Sequence, residues 1–195
     1  QRQMCIRDSH RNDEPTGKLE YLRNDAAQTR VHDITTSEAS VTLRYAPGES
    51  FVNSKQRRVP VSLDAPIFTL THAMGFKGVL GGEYNFNRTE ASIWKRFWLP
   101  ASWGKIDCSV KAGAEWNTVP FPLLILPEAN LSYITQRETF CLINNMEFLN
   151  DRFASMSISY DMNGKLFNRI PLLKNLKWRE TVSYTHLRAH ETRHD

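Results

Sequence analysis

The sequence predicts an all-β fold, an antiparallel meander of six or seven strands, and three observations support this prediction. Apolar and polar residues alternate at period two over several stretches, turn-forming residues separate these stretches, and no stretch of useful length has helical periodicity. Aromatic residues make up 11% of the chain, and aromatic side chains are enriched in β-strands. We therefore expect consecutive strands to pair as hairpins.

The longest regular alternation lies in residues 105–116. Its apolar face comprises Ile106, Cys108, Val110, Ala112, Ala114 and Trp116, and its polar face comprises Lys105, Asp107, Ser109, Lys111, Gly113 and Glu115. Residues 153–162 and 40–45 repeat the pattern, and it is interrupted in the weaker candidates, residues 67–74, 82–98 and 140–149. The turn-forming positions between these stretches are Pro47-Gly48, residues 100–104, Asn150-Asp151 and Asn163-Gly164.

Composition and charge argue against several other classes of protein. The net charge of +4 would permit binding to nucleic acid, but Lys and Arg form no dense patch, so we predict no nucleic-acid partner. No run approaches the ~20 consecutive apolar residues that a membrane-spanning helix needs. The three cysteines have no CxxC spacing and predict no disulfide framework. We also predict no catalytic residue and no cofactor, and hence no enzyme.

Two architectures are compatible with the alternating strands. In a soluble β-rich binding domain the apolar faces pack into a core and the polar faces meet water. In an outer-membrane β-barrel the apolar faces meet lipid and the polar faces line a hydrated lumen, with aromatic residues at both interfaces. Strand length favours the barrel, because residues 105–116 match the ~9–11 residues of a membrane-spanning strand. So do the aromatic residues near strand ends, which are Trp94, Phe97, Trp98, Trp103 and Trp116.

A set of motifs between residues 39 and 181 resembles one bacterial family. The motifs are residues 93–99 (IWKRFWL), Lys111-Ala112-Gly113 with Trp116, residues 119–124 (VPFPLL), residues 130–133 (NLSY), Asn163-Gly164 with residues 166–173 (LFNRIPLL), and residues 177–180 (KWRE). They look like the C-terminal barrel of large envelope proteins of unknown function. These proteins carry an N-terminal carboxypeptidase-regulatory-like domain, and their barrel is similar to the surface-antigen, BamA-like superfamily.

The resemblance implies an incomplete transmembrane β-barrel fragment in the bacterial outer membrane. It implies a non-enzymatic role in envelope assembly, transport or surface anchoring, with outer-membrane lipid and other envelope proteins as partners. The N-terminal domain, the signal peptide and further strands of the family are absent from this sequence, and we expect the uninterrupted gene to encode them. No peptidase residue is carried over by the resemblance.

Both ends of the chain differ in character from the rest. Residues 4–9 (MCIRDS) and 182–191 (VSYTHLRAHE) resemble peptides translated from sequencing-adapter DNA. We therefore divide the chain into an adapter-like segment (1–9), a polar loop or partial strand (10–38), the barrel fragment (39–181) and a second adapter-like segment (182–195). The second segment contains an HExxH match, His190, Glu191 and His194, which on a helix could bind zinc. We interpret this match as artefactual and predict no metal site.

The barrel interpretation makes specific predictions for side chains. Ile106, Val110 and Ala114 should lie on the outer convex surface, and the charged residues of the same strand on the concave one. Residues expected to line the lumen, as an ion-pair network or as part of a passage, are Asp107, Lys111, Glu115, Glu147 and Asp161. Cys108 and Cys141 are predicted to be buried small hydrophobic side chains. His32 and His72 are predicted to be solvated or hydrogen-bonded.

Overall fold

A computed structural model of the chain describes residues 2–15, 21–22, 30–53, 58–62, 64–130, 132, 139–144 and 147–190. Its elements, in chain order, are β1 (Arg2–Asp13), β2 (Tyr21–Leu22), β3 (Arg30–Val31), β4 (Ile34–Tyr45), β5 (Phe51–Asn53), β6 (Arg58–Pro60), β7 (Ile67–Gly75), β8 (Phe86–Trp98), β9 (Lys105–Glu115), a 3₁₀ turn (Phe121–Leu123), β10 (Arg152–Asp161), a second 3₁₀ turn (Phe167–Arg169), α1 (Pro171–Lys174) and β11 (Thr181–His190). Strand is thus the main regular structure of the described residues.

Seven long strands form one antiparallel sheet in the order β1-β4-β7-β8-β9-β10-β11. The short pairs β2-β3 and β5-β6 are two-stranded ribbons within the connections that join β1 to β4 and β4 to β7. Each long strand pairs with the long strand before and after it in the chain, which makes the sheet a meander. The predicted fold class is confirmed, and the sheet of the described residues is open, with β1 and β11 at its edges.

The tight turns have the predicted residues at the positions that need a positive φ. Gly104, in the turn between β8 and β9, has a φ of +90°, and a β-carbon there would stand 1.8 Å from the Asp161 carbonyl oxygen. Asn163 and Gly164 follow β10 with φ values of 55° and 74°. Both are residue types that adopt this left-handed region readily, and so the chain can reverse where the sequence predicted.

The buried apolar residues are few, and they lie beside the sheet ends and connections. They are Ile34, Ala46, Ala65, Ala73, Phe86, Val119 and Ile125. Of the apolar residues that alternate along β9 and β10, none belongs to this buried group. The alternating apolar faces therefore do not form the core of the described residues.

The described part of residues 140–149, a weaker strand candidate, forms no strand, and the prediction was wrong for this part. In the described part of this stretch, only isolated bridges occur, at Phe140 and at Asn150 just beyond it. Asn144 interrupts the alternation, and its backbone N–H bonds the Glu147 carboxylate instead of a neighbouring strand. Polar side chains that bond nearby backbone compete with strand pairing in this way.

The structure also gives a conformation to the ends of the chain. Residues 2–13 form β1 along the whole of β4, and residues 181–190 form β11 along the whole of β10. Strand β4 begins at Ile34, inside the range assigned to a polar loop or partial strand. Strand pairing does not show whether residues 1–9 and 182–195 were translated from adapter DNA, so their adapter-like origin stays a prediction.

Candidate functional site

The register of the sheet brings the alternating apolar residues of separate strands into continuous rows on one face. The clearest row contains one residue from each of five neighbouring strands: Tyr45, Phe68, Ile93, Val110 and Met156. Every one of these large side chains is exposed. The rings of Tyr45 and Phe68 stack, with their centroids 6.2 Å apart. The row therefore presents apolar side chains to the surroundings of the sheet, not to its interior.

Further exposed apolar residues extend this surface in both directions along the strands and to both edge strands. They are Met4, Ile6, Leu43, Leu70, Met74, Phe97, Val182 and Tyr184. We call these residues, together with the row above, the apolar face. Extended exposed apolar patches mark contacts with protein or membrane, because most water-facing surfaces of a monomer lack them.

The two sets of side chains on β9 differ in exposure, and their predicted places on a convex and a concave surface stay predictions. Val110 is 44% exposed, and its neighbour Ser109 on the opposite face is only 6% exposed. Ile106 and Ala114 are half-buried on the same side as Val110, while Glu115 is 3% exposed on the other side. The exposed residues of β9, Val110 and Ala112, thus lie on the apolar face and the buried ones, Ser109, Gly113 and Glu115, on the other, while the remaining residues of both faces are half-buried.

Aromatic residues lie near both ends of the central strands. Trp98 ends β8 and Trp103 lies in the following turn, where Lys165 Nζ stands 4.0 Å from the centre of the Trp103 ring. Trp116 follows the opposite end of β9, and its indole N–H donates to Thr89 Oγ1 at 2.9 Å. All three indoles are exposed. They are therefore not core anchors. The 11 residues of β9 separate Trp98 and Trp103 at one end from Trp116 at the other.

The opposite face of the sheet, here called the polar face, carries charged residues that are paired. Arg96 on β8 donates to Asp107 on β9 through two hydrogen bonds, Nε to Oδ1 at 2.6 Å and Nη2 to Oδ2 at 2.9 Å. The guanidinium carbon of Arg96 also lies 5.4 and 5.7 Å from the ring centroids of Trp94 and Trp98. This bidentate, stacked geometry is one that only arginine provides.

The other charged residues predicted to line a lumen pair separately. Glu115 accepts from Arg88 Nε at 2.9 Å, Lys111 Nζ lies 2.9 Å from Glu128, and Lys105 Nζ lies 3.8 Å from Asp161. Glu147 accepts a backbone hydrogen bond from its own connection. The predicted charged residues therefore take part in ion pairs with partners on neighbouring strands and on the connection.

The described part of the connection from β9 to β10, residues 116–130, 132, 139–144 and 147–151, contacts the polar face at several points. Arg88 Nη2 donates to the Leu123 carbonyl at 2.5 Å, and Lys111 reaches Glu128 from β9. Ile125 and Asn150 bridge the two halves of the connection, with N–H to O distances of 3.0 and 3.1 Å. Both are buried, and the Ile125 side chain supplies apolar cover beside the polar-face residues Glu90 and Lys111.

Two cavities remain between this connection and the sheet. The first, of about 420 Å³, has strand residues on one side, including Trp94, Ser109 and Ser157, and residues 139–143 on the other. The second, of about 330 Å³, lies beside Glu90, Lys111 and Glu128. Phe140 and Leu187 border both cavities. Sequence periodicity could not reveal these cavities, because residues 139–143 have no regular structure.

The remaining candidate residues do not gather into a site. His190 ends β11 in the backbone register, and Glu191 and His194 lie outside the described residues. Within the described ranges there is no group of three His, Cys, Asp or Glu side chains that could hold a metal ion. His72 hydrogen-bonds Thr89 at 2.9 Å, as predicted. All three cysteines are free, and the prediction that Cys141 is buried was wrong, since it is exposed in an irregular connection.

Comparison with known proteins gives one family match. The model of a family described as "Family of unknown function (DUF5686) C-terminal domain" matches residues 8–194. No curated protein and no solved structure matches the chain. In the part of the chain that the structure describes, no helix is long and apolar enough to cross a membrane.

Proposed function

The chain belongs to the C-terminal domain of this family of unknown function (DUF5686), and from its residues we propose that it is part of an outer-membrane β-barrel domain. In this proposal the apolar face contacts lipid and the polar face borders the barrel interior. The domain is non-enzymatic and serves envelope assembly, transport or surface anchoring. The motif resemblance to surface-antigen, BamA-like barrels supports the same assignment.

The observation that carries the proposal is the exposure of the apolar face on the five strands β4, β7, β8, β9 and β10. Leaving this surface in water would be costly, because each Å² of apolar surface removed from water contributes about 25 cal/mol. A bilayer removes that cost without any further protein. The side chains of Arg96 and Glu115, in contrast, are nearly buried on the polar face, where their partners compensate their charges.

Strand length and edge structure support the same proposal. The strands β7 to β10 have 9 to 13 residues, and a tilted strand needs ~9–11 residues to cross the hydrocarbon core. The edges at β1 and β11 would need partner strands in a bilayer, because unpaired backbone groups are not tolerated in hydrocarbon. Closure takes at least eight strands in single-chain bacterial barrels. We therefore propose that further strands complete the barrel.

A matched pair of neighbouring residues on β8 tests the proposal. Ala91 and Glu90 are both exposed and lie on the apolar and polar faces, respectively. In the native full-length protein, Ala91→Arg should sharply reduce the yield of folded protein in outer membranes. The reason is that an arginine on the lipid face near the bilayer midplane destabilises a barrel by about 2–4 kcal/mol. Glu90→Arg should be tolerated, because it places the charge on the polar face.

Heat-modifiable migration in detergent gels provides the readout for folding. A closed barrel migrates differently before and after boiling, and a soluble β-rich binding domain, the alternative architecture, does not. Loss of the heat-sensitive band with Ala91→Arg but not with Glu90→Arg supports the proposal. Equal tolerance of both substitutions, or no heat-sensitive band in the native protein, would remove it.

A further inference from the structure

The connection between β10 and β11, residues 162–180, carries an excess of positive charge. Its five basic residues and one acidic residue give it a net charge of +4, which equals the net charge of the whole chain. Four of the basic residues are exposed: Arg169, Lys174, Lys177 and Arg179. Within the described residues, no ion pair involves any of these four. Their charges are therefore available to an anionic partner.

Large apolar side chains lie between these basic residues and are exposed as well. They are Leu166, Ile170, Leu172, Leu176 and Trp178, and Leu172 is 83% exposed. A nucleic acid would neutralise the basic residues but would leave these apolar side chains in water, which is unfavourable. A membrane interface suits both groups, because apolar side chains enter the acyl boundary while lysine and arginine remain among the headgroups.

Hydrogen bonds hold this connection in a defined place at one end of the sheet. Lys165 Nζ donates to the Ala101 carbonyl oxygen at 2.7 Å, in the turn between β8 and β9. The Met162 N–H donates to the Glu180 carbonyl oxygen at 3.1 Å, and the Leu166 N–H donates to Glu180 Oε1 at 2.6 Å. These contacts lie outside both adapter-like segments. The basic residues are thus carried on a connection that is fastened to the β8–β9 turn.

The same end of the sheet has further features of a membrane interface. Trp98 and Trp103 lie here, and both are exposed. Lys95 lies on the apolar face near the end of β8, with its Nζ 5.5 Å from the centre of the Phe97 ring. A lysine at this level can reach the headgroups with its ammonium group while its methylene groups stay against apolar side chains. Tryptophan is likewise enriched at membrane interfaces.

We propose that residues 162–180 bind the phosphate groups of anionic lipids at the membrane interface. Lysine and arginine donate charge-assisted hydrogen bonds to phosphate oxygens, and the exposed apolar side chains between them contact the acyl chains of the same lipids. The inference rests on the proposed membrane role, and it adds the class of lipid and the segment that recognises it. The unpaired positive charge selects an anionic headgroup, and the exposed apolar residues select a lipid.

Native mass spectrometry of the native full-length protein, released from a neutral detergent, measures binding of the first lipid. Anionic phosphatidylglycerol is compared with phosphatidylcholine, which has the same acyl chains and no net charge, and phosphatidylglycerol should bind more tightly. Lys174→Gln/Lys177→Gln should weaken phosphatidylglycerol binding by at least about fivefold, because each basic residue near an anionic membrane surface contributes about that factor. Phosphatidylcholine binding should not change.

Two control variants separate charge and position from other effects. Lys174→Arg/Lys177→Arg keeps both charges and should keep the affinity. Lys77→Gln removes an exposed lysine from the connection between β7 and β8, where Val79 and Leu80 are also exposed but Glu83 balances the charge, and it should leave the affinity unchanged.

Three results would overturn the inference: equal affinity of the native protein for the two lipids, unchanged affinity in Lys174→Gln/Lys177→Gln, or an equal loss in Lys77→Gln. Heat-modifiable migration of each variant reports folding of the barrel separately. A heat-sensitive band without a preference for phosphatidylglycerol removes this inference alone, and absence of the band from the native protein removes the membrane role on which it rests.

Discussion

Arg96 and Asp107 face each other directly across β8 and β9, and two hydrogen bonds join the guanidinium to the carboxylate. Their side chains are 9% and 15% exposed. An ion pair so well removed from water is costly to break, because the remaining charge stays buried without its partner. The pair therefore anchors the polar face at the level of Trp94 and Trp98, whose rings flank Arg96.

Replacing Asp107 by Asn should lower the free energy of unfolding by about 3 kcal/mol, since Arg96 would lose its charged partner. Denaturant titration of the detergent-folded native full-length protein measures this change. Glu128→Gln is the control, because its partner Lys111 lies nearer the surface and Glu128 itself is well exposed. A change of less than about 1 kcal/mol is expected for that exposed pair. Equal effects of both substitutions would contradict the burial argument.

Gly113 and Phe153 form a second cross-strand relationship, between β9 and β10. A β-carbon on Gly113 would stand 2.4 Å from Cε1 of the Phe153 ring. Gly113→Ala should therefore destabilise the fold by about 1–3 kcal/mol through overpacking. The cost should be smaller in a Phe153→Ala background, where the ring is gone. A double-mutant cycle measures this coupling, and an identical cost in both backgrounds would show that the ring is not the obstacle.

The described part of the connection between β9 and β10 should open locally while the sheet stays folded. Ile125 is buried where this connection bridges to Asn150, so Ile125→Ala removes its apolar anchor. Limited proteolysis should cut the connection several-fold faster, while the heat-sensitive band persists, because local opening needs less free energy than global unfolding. The adjacent Leu126 is exposed, and Leu126→Ala should leave the cleavage rate unchanged. Equal acceleration by both would contradict a specific anchor.

The sequence predicted the faces of the sheet well and the cover of the polar face poorly. Period-two alternation in β9 and β10 is a local property of the chain, and pairing only aligns the strands that have it. The covering connection depends on contacts such as Arg88 with the Leu123 carbonyl and Lys111 with Glu128. Such contacts join residues from separate elements, and no short motif encodes them.

The charged residues of β9 illustrate the same limit. Alternation predicted that Asp107 and Glu115 share a face, and it could not identify Arg96 and Arg88 as their partners. Those partners follow from the β8–β9 register, which sets Arg96 opposite Asp107 and Arg88 opposite Glu115. The predicted turn would not have given this register, because a turn at residues 100–104 pairs Leu99 with Lys105 and sets Phe97 opposite Asp107, one residue away from the observed pairing of Trp98 with Lys105.

Spin-label accessibility along β10 tests most directly whether the apolar face meets lipid. Single cysteines are introduced at residues 154–160 of the membrane-inserted native protein, after its own cysteines, including Cys108 and Cys141, are changed to Ser. Collisions with oxygen and with a water-soluble nickel complex are then compared. We predict high oxygen and low nickel accessibility at Ala154, Met156, Ile158 and Tyr160, and lower oxygen accessibility at Ser155, Ser157 and Ser159. High nickel accessibility at the first four positions, or no alternation, would contradict a lipid-facing sheet.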